Sequence, residues 1–174
     1  MEMNIPAFNE KGELKIIPSA TSAKEDFDFF IGKWKLKNRK LKTRLNNCIE
    51  WIEFEATQEN YKALQGLANI DHFYSSFANK PFEGMTMRLF DPVTRLWSIY
   101  WADSNNGKLD TPVVGSFENK IGQFFAKDIF NGREILVVFR WDATDVNNPV
   151  WSQAFSTDSG KTWEWNWYMY MSKW

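Results

Sequence analysis

Beyond Gly32 the chain alternates between apolar and polar positions with a period of two residues. Trp34 and Leu36 alternate there with Lys33 and Lys35. Successive side chains of a β-strand point to opposite faces of a sheet, so this pattern predicts a strand with one buried face. Further predicted strands cover 47–57, 61–64, 69–77, 85–90, 96–102, 113–117, 123–130, 133–141, 150–155 and 162–171.

The turns between these strands are short. Asp91-Pro92 lies between two predicted strands, and Asn131-Gly132 is typical of a tight two-residue hairpin. Short turns make neighbours in sequence into neighbours in space, and a long meander hides its two edges by closing on itself. We therefore predict an all-β fold: an up-and-down antiparallel barrel of about ten strands.

The segment before the barrel is of a different kind. Ser22 and Glu25 match a helix capping box, which predicts a short N-terminal helix ended by Gly32. The polar, proline-containing start is expected to be loosely ordered. The predicted organisation is a single domain, 1–174, with a lead at 1–20, a short helix at 22–30 and the barrel at 32–174.

Aromatic residues make up 17% of the chain, with ten Trp, fifteen Phe and five Tyr. Aromatic side chains bury large areas and favour strands. A barrel interior lined by them is either a solid core or a cavity for an apolar or planar molecule. Composition leaves both alternatives open.

Charge and cysteine usage narrow the partners and the compartment. Twenty-one basic and 22 acidic residues give a net charge of −1, which argues against nucleic acid or an anionic membrane as a partner. The basic run at 33–44 is expected to be the solvated face of a strand, with an anion-binding patch as the alternative. One cysteine, Cys48, allows no internal disulfide, and we find neither a secretory leader nor a membrane-spanning run. These features predict a cytoplasmic protein.

Gly32-Lys33-Trp34 resembles the Gly-x-Trp signature that opens the first strand of lipocalins and other calycin barrels. More broadly, residues 24–174 resemble lipocalin-like bacterial proteins of unknown function. The resemblance runs through 27–34, 90–92, 97–101 and 163–167. It implies a barrel whose N-terminal helix closes one end, with Trp34 under the floor and a basic side chain, Arg140 or Lys173, lying over it. It implies no chemistry and no cofactor.

A second resemblance lies at 156–163, which matches the Asp-box hairpin of sialidase propellers. Asp158 is expected to accept hydrogen bonds from turn amides, Gly160 to adopt positive φ, and Trp163 to pack beneath the hairpin. A single copy without a propeller repeat predicts a structural hairpin, not a glycosidase.

Polar residues on the predicted strands are candidates for a ligand site. An inward Arg88 would need a carboxylate such as Glu53, Glu55 or Asp128, and its guanidinium also suits a ligand carboxylate or phosphate. In the last strand, alternation puts Trp163, Trp165 and Trp167 on one face and Asn166 and Tyr168 on the other, without deciding which points inward. The candidate ligand-binding residues are Glu55, Asn69, Asp71, Arg88, Tyr100, Trp101, Gln153, Asn166 and Tyr168.

Three functions fit these features. The first is a carrier or sensor for an amphipathic or planar small molecule. The second is an enzyme that uses Glu55, Asp71 and Tyr100 for acid–base chemistry of the isomerase, decarboxylase or cyclase type. The third is a structural homodimer with a filled core, packed through strands that are apolar on both faces. A single His, His72, and a single Cys are too few for a zinc site, and we assign no catalytic residue and no metal.

Overall fold

The structure, a computed structural model, describes residues 5–77 and 80–174. Two turns of 3-10 helix, Asp28–Phe30 and Leu64–Gly66, accompany the strands in these ranges. None of the helices described there is long and apolar enough to cross a membrane. The strands are β1 (Ala7–Phe8), β2 (Leu14–Lys15), β3 (Gly32–Leu41), β4 (Trp51–Ala63), β5 (Ala68–Phe77), β6 (Lys80–Asp91), β7 (Leu96–Asp103), β8 (Val113–Glu118), β9 (Ile121–Phe130), β10 (Arg133–Asp142), β11 (Val150–Ser156) and β12 (Glu164–Lys173).

Strands β3 to β12 form a closed barrel in which every strand pairs antiparallel with its neighbours in sequence. The barrel closes where β12 pairs with β3, from Trp167 opposite Lys40 to Lys173 opposite Trp34. Closure leaves no unpaired edge in the sheet. The predicted all-β, up-and-down antiparallel barrel of ten strands is confirmed.

One predicted break between strands is wrong. The segments predicted at 47–57 and 61–64 belong to a single strand, β4, which covers Trp51–Ala63, because the polar stretch between them stays paired with β3; residues 47–50 lie in the connection before it. Gln58 and Asn60 in that stretch are buried on the inner face of the barrel, although their polarity is typical of a turn.

The two ends of the barrel differ. At the upper end lie the connections 42–50, 104–112 and 157–163, and at the lower end lies the segment 22–31. Phe27 and Phe30 of that segment are 1% and 0% exposed and fill the lower end. The lower half of the barrel is therefore a solid aromatic core.

The helix predicted at 22–30 is wrong except for its last turn, Asp28–Phe30. The Ser22 hydroxyl donates to the carbonyl of Arg95 at 2.7 Å, while the carboxylate of Asp26 accepts from the Ala23 amide at 3.0 Å. Tertiary contacts of the buried phenylalanines override the local capping signal here.

Trp34 lies beneath the floor that segment 22–31 forms at the lower end of the barrel. It is fully buried, and its indole nitrogen donates to the carbonyl of Phe30 at 2.8 Å. The ammonium of Lys173 lies 5.6 Å from the centroid of the Trp34 ring. Arg140, the other candidate for this cation–π contact, instead pairs with Asp142 at 3.0 Å. The buried Trp34 with Lys173 as the cation over it therefore matches what the lipocalin resemblance implied, whereas the helix expected to close this end is reduced to one 3-10 turn.

A second, smaller apolar cluster lies on the outside of the barrel. Phe125, Val138 and Ala154 are buried there, although they are on the outer faces of their strands and the alternate residues face the interior. Leu14 of β2 and Ile16, which follows this strand, pack against the cluster. The chain thus covers part of its own apolar outer wall. The homodimer stays a prediction.

Candidate ligand-binding cavity

The upper half of the barrel encloses a cavity of about 260 Å³. This volume lies just below the roughly 300–1,000 Å³ of typical small-molecule pockets, so the cavity suits a compact molecule. The interior is therefore part core and part cavity. Its apolar wall is largely aromatic and includes Trp101, Phe139, Trp151, Phe155, Trp167 and Met169.

Arg88 forms the polar base of the cavity. Its Nη1 lies 2.6 Å from Oδ2 of Asp71, an ion pair outside the angles of a hydrogen bond, and donates a hydrogen bond to Oδ1 of Asn69 at 2.9 Å. The guanidinium also lies 5.2 Å from the ring centroids of both Phe27 and Phe30. A cation is stable at this depth because it has both a carboxylate and aromatic faces around it.

The carboxylates expected to pair with Arg88 lie elsewhere. Glu53 and Glu55 are exposed on the outer wall, and Asp128 lies at the upper end of the cavity. Asp71 is the partner because β5 and β6 are adjacent, with Asn69 directly opposite Arg88.

Several buried polar atoms have no hydrogen-bond partner among the described residues. Two belong to residues that line the cavity: Oε1 of Gln58 and Nε of Arg88, in side chains that are 5% and 3% exposed. Such atoms are usually paired in folded proteins, because an unpaired buried polar group costs about 1–3 kcal/mol. An unpartnered acceptor and an unpartnered donor therefore lie in side chains at the base of the cavity.

Two basic residues reach the upper end of the cavity. The ammonium of Lys40 lies 4.0 Å from the centroid of the Trp167 ring. Burial, together with repulsion from Arg44, lowers the pKa of Lys40 to about 8, with Asp103 acting in the opposite direction. Burial also lowers the pKa of Arg44, whose guanidinium lies 5.6 Å from the ring centroid of Phe155. Both cations lie against aromatic rings and partly out of water.

Three carboxylates, those of Asp103, Asp110 and Asp128, line the same end of the cavity. Burial raises the pKa of Asp110, and repulsion from the other two adds to this shift. Asp103 accepts hydrogen bonds from the indole of Trp101 at 3.3 Å and from the amide of Asn105 at 2.9 Å. Charged groups of both signs therefore surround the entrance.

A bulge in β12 determines which of its side chains face inward. Gln153 of β11 lies opposite Trp167 and Ala154 lies opposite Trp165, so Asn166 is an extra residue. The single tryptophan face predicted for this strand is therefore wrong: Trp167 lines the cavity, whereas Trp163 and Trp165 pack against the outer cluster.

The candidate residues fall into three groups. Those that line the cavity are Arg88, Trp101 and Gln153. Those buried close behind it are Asn69 and Asp71, which contact Arg88, and Asn166, which accepts a hydrogen bond from Gln153 at 2.8 Å. Those on the outer wall, away from the cavity, are Glu55, Tyr100 and Tyr168. His72 is also outside, 3.3 Å from Glu83.

Sequence reasoning missed most of the polar residues of the cavity, although their positions along the strands indicate which face they are on. Lys40 is an even number of residues from Trp34 on β3, and Asp103 is an even number of residues from Trp97 on β7, so each faces the same side as that tryptophan. A strand that buries one tryptophan buries the alternate positions as well. Extending each strand from its buried tryptophan identifies these residues.

The comparisons with known proteins agree with the fold. No protein-family model matches the chain, and no curated protein matches it significantly by sequence. Ten chains of solved structures do match, among them the crystal structure of Rv2717c from M. tuberculosis. That structure superposes with a TM-score of 0.55 at 10% sequence identity, over 86% of this chain and 96% of that chain. At this identity the similarity shows the fold alone, a closed antiparallel barrel that fits a lipocalin-like fold.

Proposed function

We propose that this barrel binds a small amphipathic or planar molecule in its upper cavity, as a carrier or sensor. The observation that carries the proposal is the cavity itself, whose aromatic walls lead down to unpartnered polar atoms of Gln58 and Arg88. A barrel built only for stability would fill this volume, because empty space in a core is destabilising.

The shape and stiffness of the walls favour a planar molecule. Trp151 packs edge-to-face against both Phe139 and Trp167, with centroid distances of 4.9 and 5.5 Å. Rings locked in this way present flat faces and fixed edges, against which another flat apolar group packs well. The polar groups at the base and at the entrance suit a molecule that is polar at its ends and apolar between them.

Acid–base catalysis has less support. Of the three residues considered for it, Glu55 and Tyr100 lie on the outer wall, and Asp71 lies against Arg88 behind the cavity. They form no pair facing a common molecule. A binding role is therefore the better account of the cavity.

Intrinsic fluorescence tests the proposal, because four tryptophans line the cavity. Titration with indole, 2-naphthalenemethanol and a flavone should quench or shift the emission with at least one of the three. Ala126, which lines the cavity, offers the matched variant: Ala126→Phe fills the space and should weaken binding at least tenfold.

Ala102, which alternates with the inward-facing Trp101 on β7, offers the control. Ala102→Phe adds the same ring on the outer wall and should leave binding unchanged. Absence of any response in the wild-type protein, or equal binding by Ala126→Phe, would refute the proposal.

A further inference from the structure

Lys40 is the one lysine that lines the cavity among the described residues. It lies near the upper end of β3, on the same face of the strand as the buried residues Trp34 and Leu36. The other lysines of this strand, at 33, 35 and 37, are exposed on the outer wall. No carboxylate of the described residues lies within 4.0 Å of the Lys40 ammonium, which instead lies over the ring of Trp167.

This environment disfavours the charged form of Lys40. The side chain is largely removed from water, and Arg44 adds a second positive charge nearby. With a pKa of about 8, about a quarter of Lys40 is neutral amine at pH 7.5, compared with about 0.1% for an ordinary lysine. A neutral amine is a nucleophile, whereas an ammonium group is not.

The rest of the cavity suits the product of an attack by this amine on a carbonyl group. Aromatic walls next to Lys40 provide a flat apolar surface for the carbonyl compound and limit the access of water. Asp103 and Asp110 line the same end of the cavity and provide carboxyl groups for proton transfer. The pKa of Asp110 is raised by burial, which favours its acidic form as a proton donor.

We propose that Lys40 binds a small aromatic or conjugated aldehyde covalently and reversibly, as an imine. The inference rests on the proposed function and names the class of its ligand. The lone pair of Nζ attacks the carbonyl carbon, and a first proton moves from nitrogen to the former carbonyl oxygen to give a carbinolamine. A second proton then passes from nitrogen to this hydroxyl group, which leaves as water as the C=N bond forms. The step needs no oxidant or reductant, and hydrolysis of the imine releases the aldehyde.

Reductive trapping with a defined probe tests this inference. The protein is incubated at pH 7.5 with a limiting amount of 2-naphthaldehyde, reduced with borohydride, and examined by intact mass and peptide mapping. The expected result is a single naphthylmethyl group on each labelled chain, located on Lys40. The rate of labelling should rise with pH through a midpoint near the Lys40 pKa of about 8.

Variants on the same strand provide the controls. Lys40→Arg keeps the positive charge but removes the amine, and Lys40→Met removes both; each should lose at least nine-tenths of the labelling. Lys37→Arg, on the exposed outer face of β3, should retain it. Circular dichroism and thermal unfolding establish that each variant is folded.

The related alcohol separates this inference from the proposed function. 2-Naphthalenemethanol has the same rings but no carbonyl, and its binding is measured by calorimetry. If the alcohol binds while the aldehyde is not trapped on Lys40, or is trapped equally on surface lysines, the imine is refuted and the binding function stands. If neither compound binds or reacts at the cavity, the imine is refuted, and the binding function is refuted with it when indole and the flavone also give no response.

Discussion

The ion pair between Arg88 and Asp71 is the most deeply buried charge interaction among the described residues, with side chains 3% and 0% exposed. Removing two charges from water costs several kcal/mol for each ion, and their attraction offsets this only when they stay paired. The pair therefore makes each partner dependent on the other. It also fixes the position of the guanidinium at the base of the cavity.

Breaking this pair from either side should be strongly destabilising. We expect Asp71→Asn and Arg88→Met each to lower the free energy of unfolding by about 3–5 kcal/mol, because each leaves an uncompensated buried group. Urea unfolding measures the change. The double variant Asp71→Asn/Arg88→Met should lose less than the sum of the single losses.

Arg39 provides the contrast for this measurement. It lies on the outer wall, 4.0 Å from Glu53, with nearly half of its side chain exposed. Arg39→Met should therefore change the free energy of unfolding by less than about 1 kcal/mol. Equal losses for Arg39→Met and Arg88→Met would contradict the assigned role of the buried pair.

Among the elements, the hairpin at 156–163 shows the hydrogen bonds that its sequence predicts. Asp158 accepts from the amide of Thr162 at 2.9 Å and from its hydroxyl at 2.6 Å, and also from the hydroxyl of Ser156 at 2.8 Å. Gly160 has a φ of 90°, and the indole of Trp163 donates to its carbonyl at 3.0 Å. The pattern has a purely structural explanation in this barrel.

These hydrogen bonds make the hairpin sensitive to acid. They lower the pKa of Asp158 to about 2, below its ordinary value of about 4. The carboxylate therefore stabilises the fold above about pH 4, and this stabilisation is lost as the pH falls towards 2. We expect Asp158→Asn to have a lower melting temperature than the wild type at pH 7, with the difference shrinking between pH 4 and pH 2.

Thermal unfolding across this pH range tests the expectation, with Glu118→Gln as a control at an exposed carboxylate at the end of β8. A difference between the wild type and Asp158→Asn that stays constant down to pH 2 would contradict it.

Elements also show where sequence reasoning succeeds and where it stops. Alternation and explicit turns such as Asn131-Gly132 predicted the barrel, because both depend on local geometry. The face of Trp163 and Trp165 was not predictable, because the bulge at Asn166 breaks the alternation and is determined by pairing with β11. The partner of Arg88 was missed for a related reason. It is determined by the register between β5 and β6, which the periodicity of a single strand does not reveal.

At the scale of the whole molecule, the N-terminal segment completes the surface of the barrel. Leu14 and Ile16 pack over a cluster of apolar residues on the outer wall, and Ser19 donates to the carbonyl of Phe117 at 2.7 Å. Contiguous apolar patches on a protein surface promote association when they are uncovered. The lead thus protects a wall that is apolar on both faces.

Uncovering this wall should change both stability and association. We expect Leu14→Ser/Ile16→Ser to lower the free energy of unfolding by about 1–3 kcal/mol and to increase self-association, because the cluster around Val138 becomes exposed. Light scattering coupled to size exclusion reports the association. Ile17→Ser is the control, since that side chain is already 72% exposed; similar behaviour of the two variants would contradict the covering role.

The seam between β12 and β3 has a consequence for biosynthesis. The two strands are the first and the last of the barrel in sequence, and they pair with Lys173 opposite Trp34. Until β12 has emerged from the ribosome, β3 has one edge with no partner. Closure of the barrel therefore waits for synthesis of all ten strands, and a nascent chain with such an open edge is a natural client for chaperones.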